Sequence, residues 1–161
     1  MIEEWAEALE ATGLAGALRG SVWIYPLVNV GHILGVALLV GSIVPLDLRL
    51  LGLWPHVPAA QLFRVLTRTA GAGLGLAVAC GALLFITRAV EYVQSGLFIS
   101  KMAVVAVGTA NALVLQAALR DGSFPGNSAG FKPAARVRLA AGVSLAAWLT
   151  ALVLGRLIGY F

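Results

Sequence analysis

Apolar residues in this chain gather into four long runs separated by short polar connections. The runs cover about Val22 to Leu46, Ala70 to Val90, Leu97 to Leu119 and Leu139 to Tyr160. Each is close to the ~20 residues that carry a helix across ~30 Å of hydrocarbon. A backbone in lipid must satisfy its own hydrogen bonds, so each run is read as a helix. The pattern predicts an all-α fold, an integral membrane four-helix up-down bundle forming a single domain over residues 1–161.

The connections refine this picture. In DLRLLGLWPHVPAAQLFRVLTRT, Pro58 stands where a helix can start, and Leu62, Val65 and Leu66 share one side. That spacing predicts a short interfacial helix before the second span. RAVEYVQSG makes the second connection, and RDGSFPGNSAGFKPAARVR, rich in Gly, Pro and Ser, makes a true loop. Residues 1–20 form a separate amphipathic element. Ile2, Trp5 and Leu9 fall on one face, Thr12-Gly13 breaks the pattern, and Trp5 is expected at headgroup depth. A capping role and a partner-binding role both remain open for this element.

Composition agrees with the membrane reading. The chain is 60% hydrophobic and 11% charged, whereas soluble domains are about one quarter charged. The net charge of +4 reports topology here, and no nucleic-acid partner is expected. Arg49, Arg64, Arg68, Arg120, Lys132, Arg136 and Arg138 follow spans one and three, against Arg19, Arg88, Lys101 and Arg156 on the other side. The richer side is expected in the cytoplasm. The expected location is thus the bacterial cytoplasmic (inner) membrane, multi-pass, with both termini outside. The acidic start MIEEWAEALE lacks the basic n-region of a secretory signal. Cys80 is the single cysteine and forms no internal disulfide.

Candidate chemistry begins in YPLVNVGHILGVALLV. At 100° per residue, Tyr25, Asn29 and His32 lie within about 60° of arc, and Val36, Ile43 and Asp47 continue the face. This face is expected to point polar groups inward at two depths. Gly31 and Gly35 flank His32 as a Gly-x-x-x-Gly pair, which admits a neighbouring helix or a flat ligand close to the backbone. His32 lies about ten residues into its run, ~15 Å deep, where an ionisable group suggests function. Three roles stay open for it: a hydrogen bond to a neighbouring helix, ligation of haem or a metal, and proton transfer.

Other spans add less. Lys101 either snorkels outward or meets an acidic partner or a haem propionate. Met102 is a soft candidate ligand at shallower depth. Ala141, Ser144, Trp148, Ala151 and Gly155 share a face on the fourth span, where Trp148 either fills the core or lines a pocket. Asp47 is expected to pair with a base on another span, such as Arg68 or Arg120. Pro45 is a candidate kink, and His56 is expected in solvent. The chain has no Gly-rich phosphate loop, no HExxH and no paired carboxylates within the spans. Only one His lies in a span, so one copy cannot supply two intramembrane His ligands to haem b.

WIYPLVNVGHILGVALLVGSIVPLDLRLLGLW, with His32, Asp47, Arg49 and Gly52, resembles a family of small bacterial membrane proteins described only as a domain of unknown function. The likeness extends to EEWAEALEATGLAGALRGSVW and LFISKMAVV and covers most of the chain. It implies a four-helix membrane fold and no established activity. The chain departs from that pattern at Asn29, where the family often carries an acidic residue, so no charge role carries over there. An analogy to haem-binding bundles such as copper-resistance D proteins and membrane protoporphyrinogen oxidase rests on no shared motif.

The first functional expectation is a haem-binding or redox-associated membrane subunit. His32 would be the axial metal ligand, with Tyr25, Asn29, Gly31, Gly35, Lys101 and Trp148 around the cofactor. The second ligand would come from outside this chain. The alternatives are a structural or accessory subunit without cofactor, and a small transporter. Association as a homo-oligomer, or as a subunit of a membrane complex, is expected from the small-residue faces Gly71/Gly75 and Ser144/Ala151/Gly155. No enzyme activity is assigned.

Overall fold

A computed structural model describes residues 1–120 and 133–160. Residues 121–132 of the third connection, Lys132 among them, and the Leu119 and Arg120 side chains lie outside the described residues, while the end of that connection, expected as loop, is helical from Ala135. Seven helices follow in order: α1 (Ile2–Glu10), α2 (Gly13–Gly20), α3 (Ile24–Leu51), α4 (Ala59–Phe85), α5 (Ala89–Gln94), α6 (Gly96–Arg120) and α7 (Ala135–Leu157). Four of them, α3, α4, α6 and α7, are long and apolar enough to cross a membrane. At 28 residues, α3 is about 42 Å long, more than the ~30 Å of a hydrocarbon core, so it tilts or projects beyond it.

Three boundaries differ from the sequence reading. No separate interfacial helix precedes the second span, because α4 runs unbroken from Ala59. The hydroxyls of its polar stretch are satisfied within the helix, Thr67 and Thr69 donating to the carbonyls of Phe63 and Val65 one turn back. The second connection is itself a helix, α5, with Ala89 buried. The N-terminal element is two helices. Thr12 both ends α1 and caps α2, its hydroxyl donating to Leu9 O at 2.7 Å and accepting from Ala15 N at 3.3 Å.

These N-terminal helices are tied to the bundle. Glu10 Oε1 accepts the Val90 N–H at 2.8 Å. Arg19 donates to Thr87 O at 3.1 Å and to Glu10 O at 2.7 Å. Gln94 donates to Glu3 at 3.0 Å. Trp5 remains more than half exposed, its ring 6.4 Å from that of Phe85. Phe85 in turn stacks on Tyr92 and Phe98 at 6.0 and 5.5 Å. An aromatic cluster thus roofs one end of the bundle.

Within the bundle, α3 lies between α4 and α7, and α7 carries α6 on its other side. Leu39, Ile43, Ala70 and Trp148 form one core cluster, while Leu46, Leu50 and Ala141 form a second toward the α3–α4 turn. Many large apolar side chains face outward, among them Leu27, Ile33, Val65, Val107, Leu113 and Val153, as lipid-facing positions do. Burial against other helices therefore adds little beyond what lipid provides, and close packing and hydrogen bonds carry association.

At the other end, α3 closes on Gly52, whose φ of +115° suits a residue without Cβ. Leu53 N–H reaches back to Leu48 O at 3.0 Å in a Schellman turn. Arg49, 1% exposed, turns away from Asp47 and clamps this turn. Its Nε donates to Val57 O at 2.8 Å and its Nη2 to Pro55 O at 3.2 Å. The clamp holds Trp54 at a φ of +50°, a conformation that costs a non-glycine residue about 1 kcal/mol.

Candidate functional site

The site is built on the crossing of α3 and α4. The face of α3 that packs carries Gly35, Leu39, Ser42, Ile43, Leu46 and Leu50, at alternating spacings of mostly three and four. It shares Ile43 with the polar stripe and otherwise lies to one side of it. The reason is backbone contact. A Cβ added to Gly35 would stand 2.5 Å from Ala77 N and 2.8 Å from Gly73 O, and one added to Gly73 would stand 2.6 Å from Leu39 N. Gly31 meets the Cys80 side chain in the same way, at 2.8 Å. The space these glycines open is filled by α4.

The polar stripe consequently divides. Asp47 is 3% exposed and Ile43 is buried, but Tyr25 is 36% exposed and Asn29 is exposed as well. The expectation of polar groups turned inward at two depths holds only at the Asp47 end. Tyr25 approaches Tyr92 closely enough to raise the Tyr92 phenol above its usual range, after burial as the main cause. Asn29 joins no other candidate residue.

His32, half-buried, stands between these ends. It lies eight residues after Ile24, about 12 Å along the helix. Its Nδ1 is 2.8 Å from Ala77 O. A carbonyl only accepts, so Nδ1 carries the proton and Nε2 is the ring's remaining acceptor. Gly81 leaves room for the ring, since a Cβ there would stand 3.1 Å from Cε1 and 3.2 Å from Nδ1. Ala77 and Gly81, one turn apart on α4, thus seat the imidazole.

Lys101 on α6 lies against α7, where a Cβ on Gly155 would stand 3.3 Å from Nζ. Its ammonium is also within electrostatic reach of His32. Met102 beside it is exposed on the outer surface. Trp148, 4% exposed, fills the core with Leu39, Ile43 and Ala70 and presses on Gly108 at 3.1 Å from its would-be Cβ. The structure therefore seats His32 on α4 and Lys101 against α7, gives Gly31, Gly35 and Trp148 to helix packing, and leaves Tyr25 and Asn29 at the edge.

Comparison with family models, curated proteins and solved structures finds no match. The groups themselves must then define what the site can do. Among the described residues no three of His, Cys, Asp and Glu converge as a metal site. A ligand at Nε2 would find one nitrogen donor from this chain.

A second polar group lies nearer the α3–α4 turn. Asp47 takes a hydrogen bond from Ser144 on α7, and its Oδ2 is buried without a partner, as is Nε1 of Trp148 one turn beyond Ser144. No ion pair joins Asp47 to Arg68 among the described residues. Asn111 spans α6 and α7, its amide donating to Ala140 O at 3.0 Å.

Sequence reasoning reads Gly71, Gly73, Gly75 and Gly81 as a packing run on the second span, but it missed Ala77 and the pairing of Gly73 and Gly81 with the His32 face. Their signal was present as a four-residue spacing, Gly73-x-x-x-Ala77-x-x-x-Gly81, parallel to Gly31-x-x-x-Gly35. Gly71 and Gly75, two residues out of phase, obscured it. Both have open space where a Cβ would be. On α7, Ala141, Ser144, Trp148 and Ala151 are buried inside the bundle and Gly155 is half-buried against Lys101, so the Ser144/Ala151/Gly155 face expected to pair with another copy is taken up within this chain.

Proposed function

We propose that this chain is a structural or accessory subunit of a larger membrane assembly, in which His32 joins two helices and binds no cofactor. The reading rests on one observation: the His32 ring is already engaged with Ala77 O, while Gly31 and Gly35 are in contact with α4. The exposed Gly71/Gly75 face of α4 supports association with a second copy or a partner helix. The bacterial inner membrane, termini outside, and membership of the small membrane-protein family that the α3 motif resembles belong to this proposal.

The surface that Gly31 and Gly35 would offer to a flat ring is covered, and the donor set holds one imidazole, so the residues do not fit a haem enclosed by this chain. One observation favours a haem at the boundary with another subunit. A ring whose Nδ1–H is held by a carbonyl is the tautomer and orientation of a metal-ligating histidine.

A visible spectrum of the protein, expressed with ample haem and its native partners, separates the two. The accessory reading expects no Soret band. It expects His32→Ala to lower stability by about 0.6–2 kcal/mol, the scale of an interhelical hydrogen bond in lipid, while His56→Ala has no effect. A Soret band abolished by His32→Ala would sink it. A mass measurement in nanodiscs showing one copy and no partner would also count against it.

A further inference from the structure

Helices α1 and α5 pack on each other and enclose a recess. It has a volume of about 340 Å³ and is lined by Glu10, Arg88, Val90, Glu91 and Gln94. That is the lower end of the range for small-ligand sites, about 300–1,000 Å³. Its walls are fastened at both ends. Glu10 Oε1 accepts the Val90 N–H at 2.8 Å, and Gln94 donates to Glu3 at 3.0 Å. Arg19 braces the same wall, its guanidinium donating to the main-chain carbonyls of Glu10 and Thr87. A recess so held is largely formed before a ligand arrives, which lowers the cost of binding.

Chain connectivity sets the depth of this recess. The α5 helix joins the ends of two spans, for α4 stops at Phe85 and α6 begins at Gly96. Residues between them lie just past the hydrocarbon, in the layer of about 5–7 Å that headgroups occupy on each side of a bilayer. Trp5 and Tyr92, on the same two helices as the recess, pack with Phe85 in the aromatic roof, as rings at a membrane surface do. The polar lining belongs to this layer as a whole. Arg88, Glu91 and Gln94 are on the connection itself, and Glu10 is tied to it through Val90.

Chemistry then selects the ligand. The lining holds two carboxylates and one guanidinium, and part of each is open to a ligand. Arg88 Nη1 holds Glu91 Oε2 at 3.3 Å. Among the described residues, Glu91 Oε1, Glu10 Oε2 and the other guanidinium nitrogens of Arg88 have no hydrogen-bond partner. The excess of acid calls for a cation with N–H donors, and the Arg88 edge beside it calls for an anion. A zwitterionic headgroup brings both charges at this depth. We infer that the recess binds the headgroup of phosphatidylethanolamine. The primary ammonium donates to Glu10 and Glu91, the phosphate accepts from Arg88, and the acyl chains stay in the bilayer. Phosphatidylcholine has the same charges but a quaternary ammonium without N–H, and phosphatidylglycerol has the phosphate without a cation.

Native mass spectrometry of the full-length protein in detergent, mixed with lipids of matched acyl chains, tests the site. Phosphatidylethanolamine is expected to be retained about fivefold more than phosphatidylcholine, the upper end for one ion pair at a partly exposed position. Phosphatidylglycerol is expected below both. Retention should fall stepwise through the N-methyl and N,N-dimethyl lipids as N–H donors are removed. Glu91→Gln should bring phosphatidylethanolamine toward the phosphatidylcholine level with the helical circular dichroism unchanged. Glu10→Gln, whose amide oxygen still accepts the Val90 N–H, should do the same. Arg88→Gln should lower both lipids together and keep the preference between them, because both carry the phosphate. Glu7→Gln, at an exposed acid of α1 outside the recess, should leave retention unchanged. A preference for phosphatidylethanolamine that survives in the combined Glu10→Gln and Glu91→Gln variant would overturn the site. So would equal loss in Glu7→Gln, which would assign retention to general surface charge. Displacement of the lipid by equimolar ethanolamine would overturn the lipid assignment in favour of a free amine.

Discussion

Gly35→Ala is the sharpest test of the α3–α4 crossing. The added methyl would stand 2.5 Å from Ala77 N, 2.8 Å from Gly73 O and 2.9 Å from Ala77 Cα. All three are backbone atoms and cannot swing aside. Ordinary contact needs about 3.5–4.0 Å, so the helices must part by roughly 1 Å. The His32–Ala77 bond, 2.8 Å long, then stretches beyond useful range. Overpacking costs about 1–3 kcal/mol, and the lost bond adds about 0.6 kcal/mol. Replacing glycine in a helix returns up to about 1 kcal/mol. The expected net loss is roughly 1–3 kcal/mol, measured by unfolding the micellar protein with a denaturing detergent and following helicity by circular dichroism. Gly71→Ala and Gly75→Ala are the controls. Nothing lies within 4 Å of either new methyl, so both should hold or gain stability. Combining Gly35→Ala with Gly73→Ala should cost less than the sum of the two, because the first change already separates the helices. Equal stability of Gly35→Ala and Gly71→Ala would show that the backbones do not touch at this crossing.

Arg49→Ala is expected to cost about 2–4 kcal/mol through two lost charge-assisted hydrogen bonds, and to expose residues 52–58 to protease in detergent. Arg49→Lys should restore little, since an ammonium lacks the fork that reaches both carbonyls; wild-type resistance in Arg49→Ala would refute the clamp. Reporter fusions at Gly122 and Phe161 should read cytoplasm and exterior, and signals from one side only would refute four crossings. The Tyr92 phenol, raised by burial and by the nearby Tyr25, should ionise above the ordinary phenol range. Its neutral form is favoured by folding, so its contribution is full below the ordinary phenol range and lost as pH rises through the elevated value. An ultraviolet titration in which Tyr92→Phe removes an early-ionising phenol would contradict this.

The four spans and the inner face of α7 were legible because lipid imposes length and apolarity, and small residues recur at the packed face. The boundaries were less so. Hydropathy marks where charge begins, not where hydrogen bonding stops, and α4 continues through Arg64 and Arg68, both good helix formers. The rotation of α3 was obscured for a different reason. Polar residues invite an inward reading, yet Gly31 and Gly35 lower the energy of a close crossing, and that crossing turned Tyr25 and Asn29 outward. His32 was found by its rarity. Its partner is a main-chain carbonyl, which has no sequence signature.

Arg49 shows that one charge can serve two moments in the history of the chain. While the polypeptide is being threaded into the bilayer, a guanidinium after the first span weighs on which side that segment stays. In the finished protein the same group is sealed, 1% exposed and bonded to two loop carbonyls, and is spent as a surface charge. Orientation and closure are thereby placed in sequence: the turn can be buttoned only after the segment has taken its side. A variant that removes this charge would disturb two different stages of biogenesis, and lysine, which keeps the charge but loses the fork, would disturb only the second.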